Sequence, residues 1–223
     1  MIVTIDGPAG SGKSSTARAV AERLGWRHLD SGAFYRALTF AALRAGIPDA
    51  QWDELDGARL DDLAVHACPA EQGWRLCAGP DDVTEEIRSP AVNAHVSQMA
   101  RVPAVRYWLL GRLRAAADHC DLVTDGRDMG TVVFPTAELK IFLVADPRER
   151  ARRRLLEQGH AAPSPAEIDA EVERLSARDR IDSSRDVAPL LQPPDAVVID
   201  TTALSFDEQV ETVVTLAVAR GAR

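Results

Sequence analysis

The stretch Ile5-Asp-Gly-Pro-Ala-Gly-Ser-Gly-Lys-Ser-Ser15 decides how the rest of the chain is read. Gly7 to Ser14 fills every specified position of the pattern G-x-x-x-x-G-K-[ST], with a β-branched apolar run before it (Ile2, Val3, Ile5) and helical spacing after it (Ala17, Val20, Ala21, Leu24). Glycines at these positions let consecutive backbone N–H groups and a helix N-terminus converge on phosphate oxygens. Lys13 adds a cation, and the Ser14 hydroxyl is a hard oxygen donor suited to Mg²⁺. Gly7, Pro8, Ala9, Gly10, Ser11, Gly12, Lys13, Ser14 and Ser15 are therefore the expected nucleotide-phosphate-binding segment. The chain has 26 Lys plus Arg, of which only Lys13 and Lys140 are lysine, so the pressure that favoured arginine elsewhere did not apply to Lys13.

Working outward, Arg27 to Asp30 reads as a second strand and Phe34 to Ala45 as a helix ended by Gly46 and Pro48. Helices are expected at about Val92 to Arg101 and Pro103 to Ala117. Apolar runs at Leu122–Thr124, Lys140–Val144 and Val197–Ile199 lack polar alternation, so they read as strands covered on both faces. Strands alternating with helices imply a parallel α/β sheet. Between Pro48 and Arg88 the pattern changes: Trp74–Cys77 and Val83–Thr84 flank the turn signal Ala78-Gly79-Pro80-Asp81, which predicts a small hairpin-bearing insertion. Arg148–Glu157 is a basic helix followed by the break QGHAAPSP (Gln158–Pro165), the expected hinge of a lid.

Composition narrows the class. The 223 residues are 46% hydrophobic and 27% charged, too apolar for disorder and long enough for one domain with insertions. No apolar run approaches the roughly 20 residues needed to cross a bilayer, and no leader pattern precedes Ile2, so a cytoplasmic protein is expected. The formal net charge of -8 resides in the insertion, where 11 acids face Arg59, Arg75 and Arg88. A general nucleic-acid binder needs a basic patch instead, and none is expected here. Cys68, Cys77 and Cys120 are odd in number and share no CxxC spacing, so they are expected to be small buried hydrophobes and to make neither a disulfide framework nor a zinc site, and the five histidines (His28, His66, His95, His119, His160) show no metal-ligand spacing. Neither set is assigned chemistry on spacing.

A phosphate loop serves GTPase switches, motor ATPases and small-molecule kinases alike. No N-K-x-D guanine-reading stretch occurs, which disfavours a GTPase. Sites for a second, anionic substrate do occur. Asp30-Ser31-Gly32 closes a strand and opens a helix, with Arg36 a turn further on. Asp125-Gly126-Arg127-Asp128 ends the third strand, where a carboxylate can hold a metal's water shell and Arg127 can face phosphate. Arg178, Asp182 and Arg185 recur at i, i+4 and i+7, a spacing that sets all three on one helix face, able to grip phosphate and a ribose diol. An ordinary helix cap at Ser31 and a solvated ion pair in the stripe are the competing structural readings.

Beyond these local patterns the chain resembles the bacterial cytidylate kinases, a family of P-loop nucleoside monophosphate kinases. The resemblance runs nearly the whole length: IDGPAGSGKSS (Ile5–Ser15), LDSGAFYRAL (Leu29–Leu38), EEIRS (Glu85–Ser89), VSQMA and PAVR (within Val96–Arg106), DGRDMGTVVFP (Asp125–Pro135) and RDRIDSSRDVAPL (Arg178–Leu190). It implies a P-loop kinase fold with a five-stranded parallel sheet flanked by helices, an inserted small α+β substrate-binding subdomain and a helical lid. On that reading residues 1-46, 89-147 and 187-223 form the core, 47-88 the insertion with helices 89-117 adjoining, and 148-186 the lid.

The implied activity is transfer of the γ-phosphate of ATP to CMP or dCMP by a monomer, with Mg²⁺ held by Ser14 and, through water, by Asp125. Lys13, Arg127 and Asp125 take the catalytic roles. The resemblance further implies that Ser31, Arg36 and Arg127 hold the acceptor phosphate, that Arg178 and Asp182 meet the pentose with Arg185 beside them, and that Ser97, Arg106 and Asp128 read the base. Cytosine offers an amino donor to a carboxylate and an acceptor edge to arginine, and uracil reverses the polarity at position 4. Ile181 stands where some relatives carry arginine, so Arg148, Arg150, Arg152, Arg153, Arg154 and Arg180 remain equal candidates for completing the lid. A kinase for another small acceptor and an ATP-dependent switch are the alternatives.

Overall fold

The computed structural model describes residues 1–69, 74–118 and 120–222. His119, and Glu71 of the acidic run, lie outside the described residues. In chain order the elements are β1 (Ile2–Asp6), α1 (Lys13–Leu24), β2 (Arg27–Asp30), α2 (Ser31–Arg44), α3 (Gly57–Asp62), β3 (Val65–Pro69), β4 (Trp74–Ala78), β5 (Asp81–Asp82), α4 (Pro90–Met99) and α5 (Pro103–Ala115). There follow β6 (Leu122–Asp125), a π-helical turn (Met129–Val133), β7 (Leu139–Val144), α6 (Pro147–Glu157), α7 (Pro165–Ser183), β8 (Val197–Asp200) and α8 (Phe206–Ala219). The main sheet has five strands in the order β2-β6-β1-β7-β8, and a second sheet has the order β3-β4-β5.

The chain divides into two compact units, Met1–Trp26 with Asp121–Arg223, and Arg27–Cys120. In the first unit β1 lies parallel to β6 and β7, with Ile5 beside both Asp125 and Ile141, and β8 follows beyond β7. β1, β6 and β7 are buried on both faces, as their unbroken apolar runs require, but β8 corrects the expectation for Val197–Ile199: it edges the sheet with Ile199 buried and Val198 exposed. Val3, Ile5, Leu139, Ile141 and Leu143 pack with Val20 of α1 and Val213 of α8 in one core. Gln209 of α8 donates to the Thr16 hydroxyl of α1, tying the two helices together. Capping boxes start α7 at Ser164/Glu167 and α8 at Ser205/Glu208.

In the second unit Asp30 caps α2 by accepting from Ala33 N at 3.1 Å, so the helix begins at Ser31, three residues before its apolar periodicity does. Ser89 caps α4 in the same way and moves its start to Pro90. The hairpin expected around Ala78–Asp81 is the β4–β5 pair. The sequence pattern did not announce β3, which pairs antiparallel with β4 from Val65↔Ala78 to Pro69↔Trp74. Arg44 of α2 donates to Asp81 at 2.8 Å and to Ala78 O at 3.0 Å, which anchors this small sheet to the helix.

Candidate active site

The turn from β1 into α1 is sterically dictated. A Cβ on Gly7 would stand 2.2 Å from Leu143 O, and Gly12 has φ +85 at the helix start, a left-handed conformation that favours glycine. Lys13 is the first residue of α1 and only 6% exposed. Its Nζ folds back to donate to Pro8 O at 2.6 Å and to Ser11 Oγ at 3.4 Å. Burial pushes the Lys13 pKa well below its usual value, and the neighbouring Arg127 cation pushes it the same way. An ammonium so desolvated is preorganised to gain when an anion arrives.

Parallel pairing sets Asp125, the last residue of β6, beside Ile5, and thus at the carboxyl edge where the loop begins. There Ser14 Oγ donates to Asp125 Oδ2 at 2.5 Å. Two hard oxygens so close are a donor pair that could hold Mg²⁺.

Asp6, which the sequence reading did not single out, organises the segment after β6. It accepts from Met129 N at 2.9 Å and Gly130 N at 2.7 Å. Burial raises its pKa from 3.8 to about 6 against the lowering effect of those two hydrogen bonds. The anchored chain then enters the π-helical turn, with Asp128 just before it, 4% exposed and accepting through its carbonyl from Val132 N and Val133 N at 2.9 and 3.1 Å. Such turns concentrate at functional sites.

Beside this lies a cluster of arginines and aspartates. Arg127 Nε donates to Asp182 Oδ2 at 2.8 Å, and Arg185 Nη1 stands 3.7 Å from Asp182 Oδ1. Burial alone would raise the Asp182 pKa, but the charges of Arg127, Arg185 and Arg178 hold it below the usual carboxylate range. Burial likewise acts to lower the Arg127 pKa, and Asp182 outweighs it, so the guanidinium is held more firmly charged than usual.

The helical stripe needs one correction. Helix α7 ends at Ser183, so Arg185 lies past its end, and its place comes from the turn in which its Nε donates to Asp182 O at 3.1 Å. The three side chains do converge, two of them by helix periodicity and the third by that turn.

The structure also separates the lid arginines. Arg150 Nη1 donates to Ala9 O at 2.8 Å and to Asp179 Oδ2 at 2.6 Å, while Asp179 Oδ1 accepts from Ala9 N at 2.8 Å. Helices α6 and α7 thus grip the phosphate loop through a pair that no spacing along the chain would join. Arg148 pairs with Asp169, Arg152 and Arg153 with Glu149, and Arg154 with Glu157, while Arg180 is exposed.

The remaining candidates belong to the second unit. Ser31 is buried at the first turn of α2. Arg36 Nη1 donates to Asn93 Oδ1 at 2.6 Å and to Ile87 O at 3.4 Å, which places Asn93 beside it although the sequence did not mark that residue. Arg106 is buried, donates to Ala100 O at 3.0 Å and lies 5.3 Å from the centre of the Tyr35 ring. Ser97 is half-buried on α4.

A glycine loop and buried lysine between β1 and α1, on a parallel sheet with a hydroxyl–carboxylate pair at its carboxyl edge, define a P-loop kinase. The cytidylate kinase family model matches residues 3–219, and the chain belongs to that family. It is 46% identical over 209 residues to the cytidylate kinase of Geobacillus kaustophilus, covering 94% of this chain and 92% of that one. It is 45% identical over 222 residues to that of Pseudomonas savastanoi pv. phaseolicola, covering 99% and 96%. Among solved structures, an uncharacterized protein from Eubacterium ventriosum shares the fold, with a TM-score of 0.50 at 10% identity over 97% of each chain.

Proposed function

We propose that the residues described above divide the work of a CMP kinase. The chain transfers a phosphoryl group from ATP to CMP, and the family match over residues 3–219 carries that reading. A phosphate oxygen of CMP attacks the γ-phosphorus of ATP in line, the bond from that phosphorus to the β–γ bridging oxygen breaks, and CDP and ADP leave. The nucleophile is already anionic, so no side chain has to form a covalent intermediate and the protein's task is positioning and charge stabilisation.

Lys13 and the backbone N–H groups of residues 10–15 bind the ATP phosphates and stabilise charge as it develops on the γ-phosphoryl group. Ser14 and Asp125 are the residues that would hold Mg²⁺, which supplies neutralisation of the β- and γ-oxygens when bound. Arg127, Ser31 and Arg36 are assigned to the acceptor phosphate, and Arg178, Asp182 and Arg185 to the pentose side. Asp128, Ser97 and Arg106 are assigned to the base. Residues 47–88 with 89–117 serve the monophosphate and 148–186 act as the lid. dCMP is accepted alongside CMP, and the enzyme works as a cytoplasmic monomer. No described helix is long and apolar enough to cross a membrane.

Asp128 provides the sharpest test. If its carboxylate accepts from the cytosine amino group, Asp128→Ala lowers kcat/KM for CMP by about 1–3 kcal/mol, roughly 5- to 150-fold, and lowers it much less for UMP. Arg127→Ala should weaken both substrates about equally. A CMP/UMP ratio unchanged by Asp128→Ala would refute the base-reading role.

A further inference from the structure

The small sheet of the second unit carries a group of side chains that the kinase reaction does not use. Strands β3 and β4 pair with His66 opposite Cys77 and Cys68 opposite Arg75, and β5 sets Asp82 opposite Cys77. Directly opposed residues share a face of a sheet, as do residues two apart along a strand. His66, Cys68, Arg75, Cys77 and Asp82 therefore line a single face. One ligand atom from each of His66, Cys68 and Cys77 lies within 4.8 Å of the other two, and the two sulfurs are 3.5 Å apart.

That sulfur separation is far beyond the ~2.05 Å of a disulfide. It is close to the roughly 3.8 Å that two thiolates span across a tetrahedral Zn²⁺ with Zn–S bonds of about 2.3 Å. The nitrogen–sulfur edge of the same tetrahedron is about 3.5 Å, so an imidazole already within 4.8 Å of both sulfurs needs at most about 1 Å of inward movement.

His66 is also oriented for ligation. Its Nδ1 lies 3.1 Å from Ala64 O. A carbonyl only accepts, so Nδ1 carries the hydrogen and Nε2 keeps its lone pair. The same carbonyl accepts from Gly79 N at 3.0 Å, and Ala64 has φ +52, so the orienting group is fixed by the turn that opens β3 and by the end of β4. Arg75 and Asp82 pair with each other at 3.4 Å, next to the thiols.

We propose that His66, Cys68 and Cys77 form a Zn²⁺ site on this sheet, with water as the fourth ligand. Two thiolates and a neutral imidazole are the donor set that soft-to-borderline divalent metals prefer, and their charges balance the ion. On binding, each thiol releases its proton to solvent and each sulfur donates a lone pair to the metal. None of the three ligands is among the side chains assigned above to ATP or CMP, and a bound ion would clamp β3 to β4 within the inserted segment.

The test uses the full-length protein, fully reduced and metal-free, titrated with Co²⁺ and then Zn²⁺. A thiolate-to-cobalt charge-transfer band with tetrahedral d–d bands, saturating at a single equivalent and abolished by Zn²⁺, is expected. His66→Gln and Cys68→Ser should each weaken Zn²⁺ binding at least tenfold, about the scale seen even for outer-sphere partners, with kcat for CMP unchanged. Cys120→Ser, whose Sγ donates to Ala116 O at 3.4 Å on another element, should bind as wild type. His66 is exposed, so its variant tests the site without disturbing the core. Absence of the charge-transfer band in reduced protein overturns the proposal, as does its survival in the Cys68→Ser/Cys77→Ser double variant. A protein that only joins Cys68 to Cys77 by a disulfide, and takes no metal once reduced, overturns it as well.

Discussion

Ser14 and Asp125, 111 residues apart in the chain, meet as hydroxyl and carboxylate at 2.5 Å. The helix start contributes one and the adjacent parallel strand the other, so the pair is a property of the sheet register rather than of either segment. If it holds Mg²⁺ as proposed, Asp125→Asn should raise the Mg²⁺ concentration for half-maximal rate by about 10- to 100-fold, the scale of a lost water-bridging partner. KM for CMP should change little. An unchanged Mg²⁺ dependence would remove Asp125 from the metal's shell.

Lys13 gives a prediction in which activity and stability move in opposite directions. Lys13→Ala should lower kcat by about a hundred- to a thousandfold, because a preorganised charge is lost from the transferring phosphoryl group. Burial holds the Lys13 ammonium well below its ordinary pKa, so the folded state pays for that charge. Its removal should leave Tm equal to or above that of wild type. Steady-state kinetics and thermal melts on the same preparation check both halves, and kinetics within tenfold of wild type would dismiss Lys13 from the reaction.

Asp6 makes stability depend on pH with a definite sign. Its folded pKa of about 6 exceeds the ordinary 3.8, so the folded state binds the proton more tightly, and this group's contribution is full below about pH 4 and is lost as pH rises toward 6 and above. The rise is worth about 3 kcal/mol at 1.36 kcal/mol per unit. Urea melts of wild type and Asp6→Asn should show the variant gaining relative stability across pH 4 to 6, by an amount of that order. A difference that is flat with pH would mean that Asp6 titrates as an ordinary carboxylate.

The phosphate loop was legible in the sequence because its pattern is local: Gly12 takes a positive φ in its own turn and Lys13 is one of two lysines, although the reason for Gly7, the close approach of Leu143 O, lies on another strand. The strands β6 and β7 were legible for a related reason, since burial on both faces leaves an unbroken apolar run, whereas β8 kept its apolar run although Val198 is exposed at the sheet edge; each extends the expected run by a single residue. Strand β3 was not, because Val-His-Ala-Cys-Pro has neither an apolar run nor alternation and owes its form to pairing with β4.

The same division holds in the site. Asp6 meets Met129 and Gly130 across more than 120 residues, and Asp179 meets Ala9 across 170, contacts that no spacing rule reaches. Arg150 was indistinguishable from its neighbours until α6 was laid against the loop. Arg185 shows the opposite error, a helical periodicity carried past the last turn of the helix that justified it.

Phosphorylation of CMP by this chain is read out as ADP release. ADP release should be followed with ATP at saturation and CMP, dCMP, UMP, AMP or GMP as acceptor. Turnover should depend on an added monophosphate, with kcat/KM for CMP at least about a hundredfold above that for AMP and GMP, the discrimination that mispaired buried polar groups supply. dCMP should be used and UMP should fall below CMP. ADP release at the same rate without any acceptor, or a preference for AMP or GMP, would contradict phosphorylation of CMP as the activity.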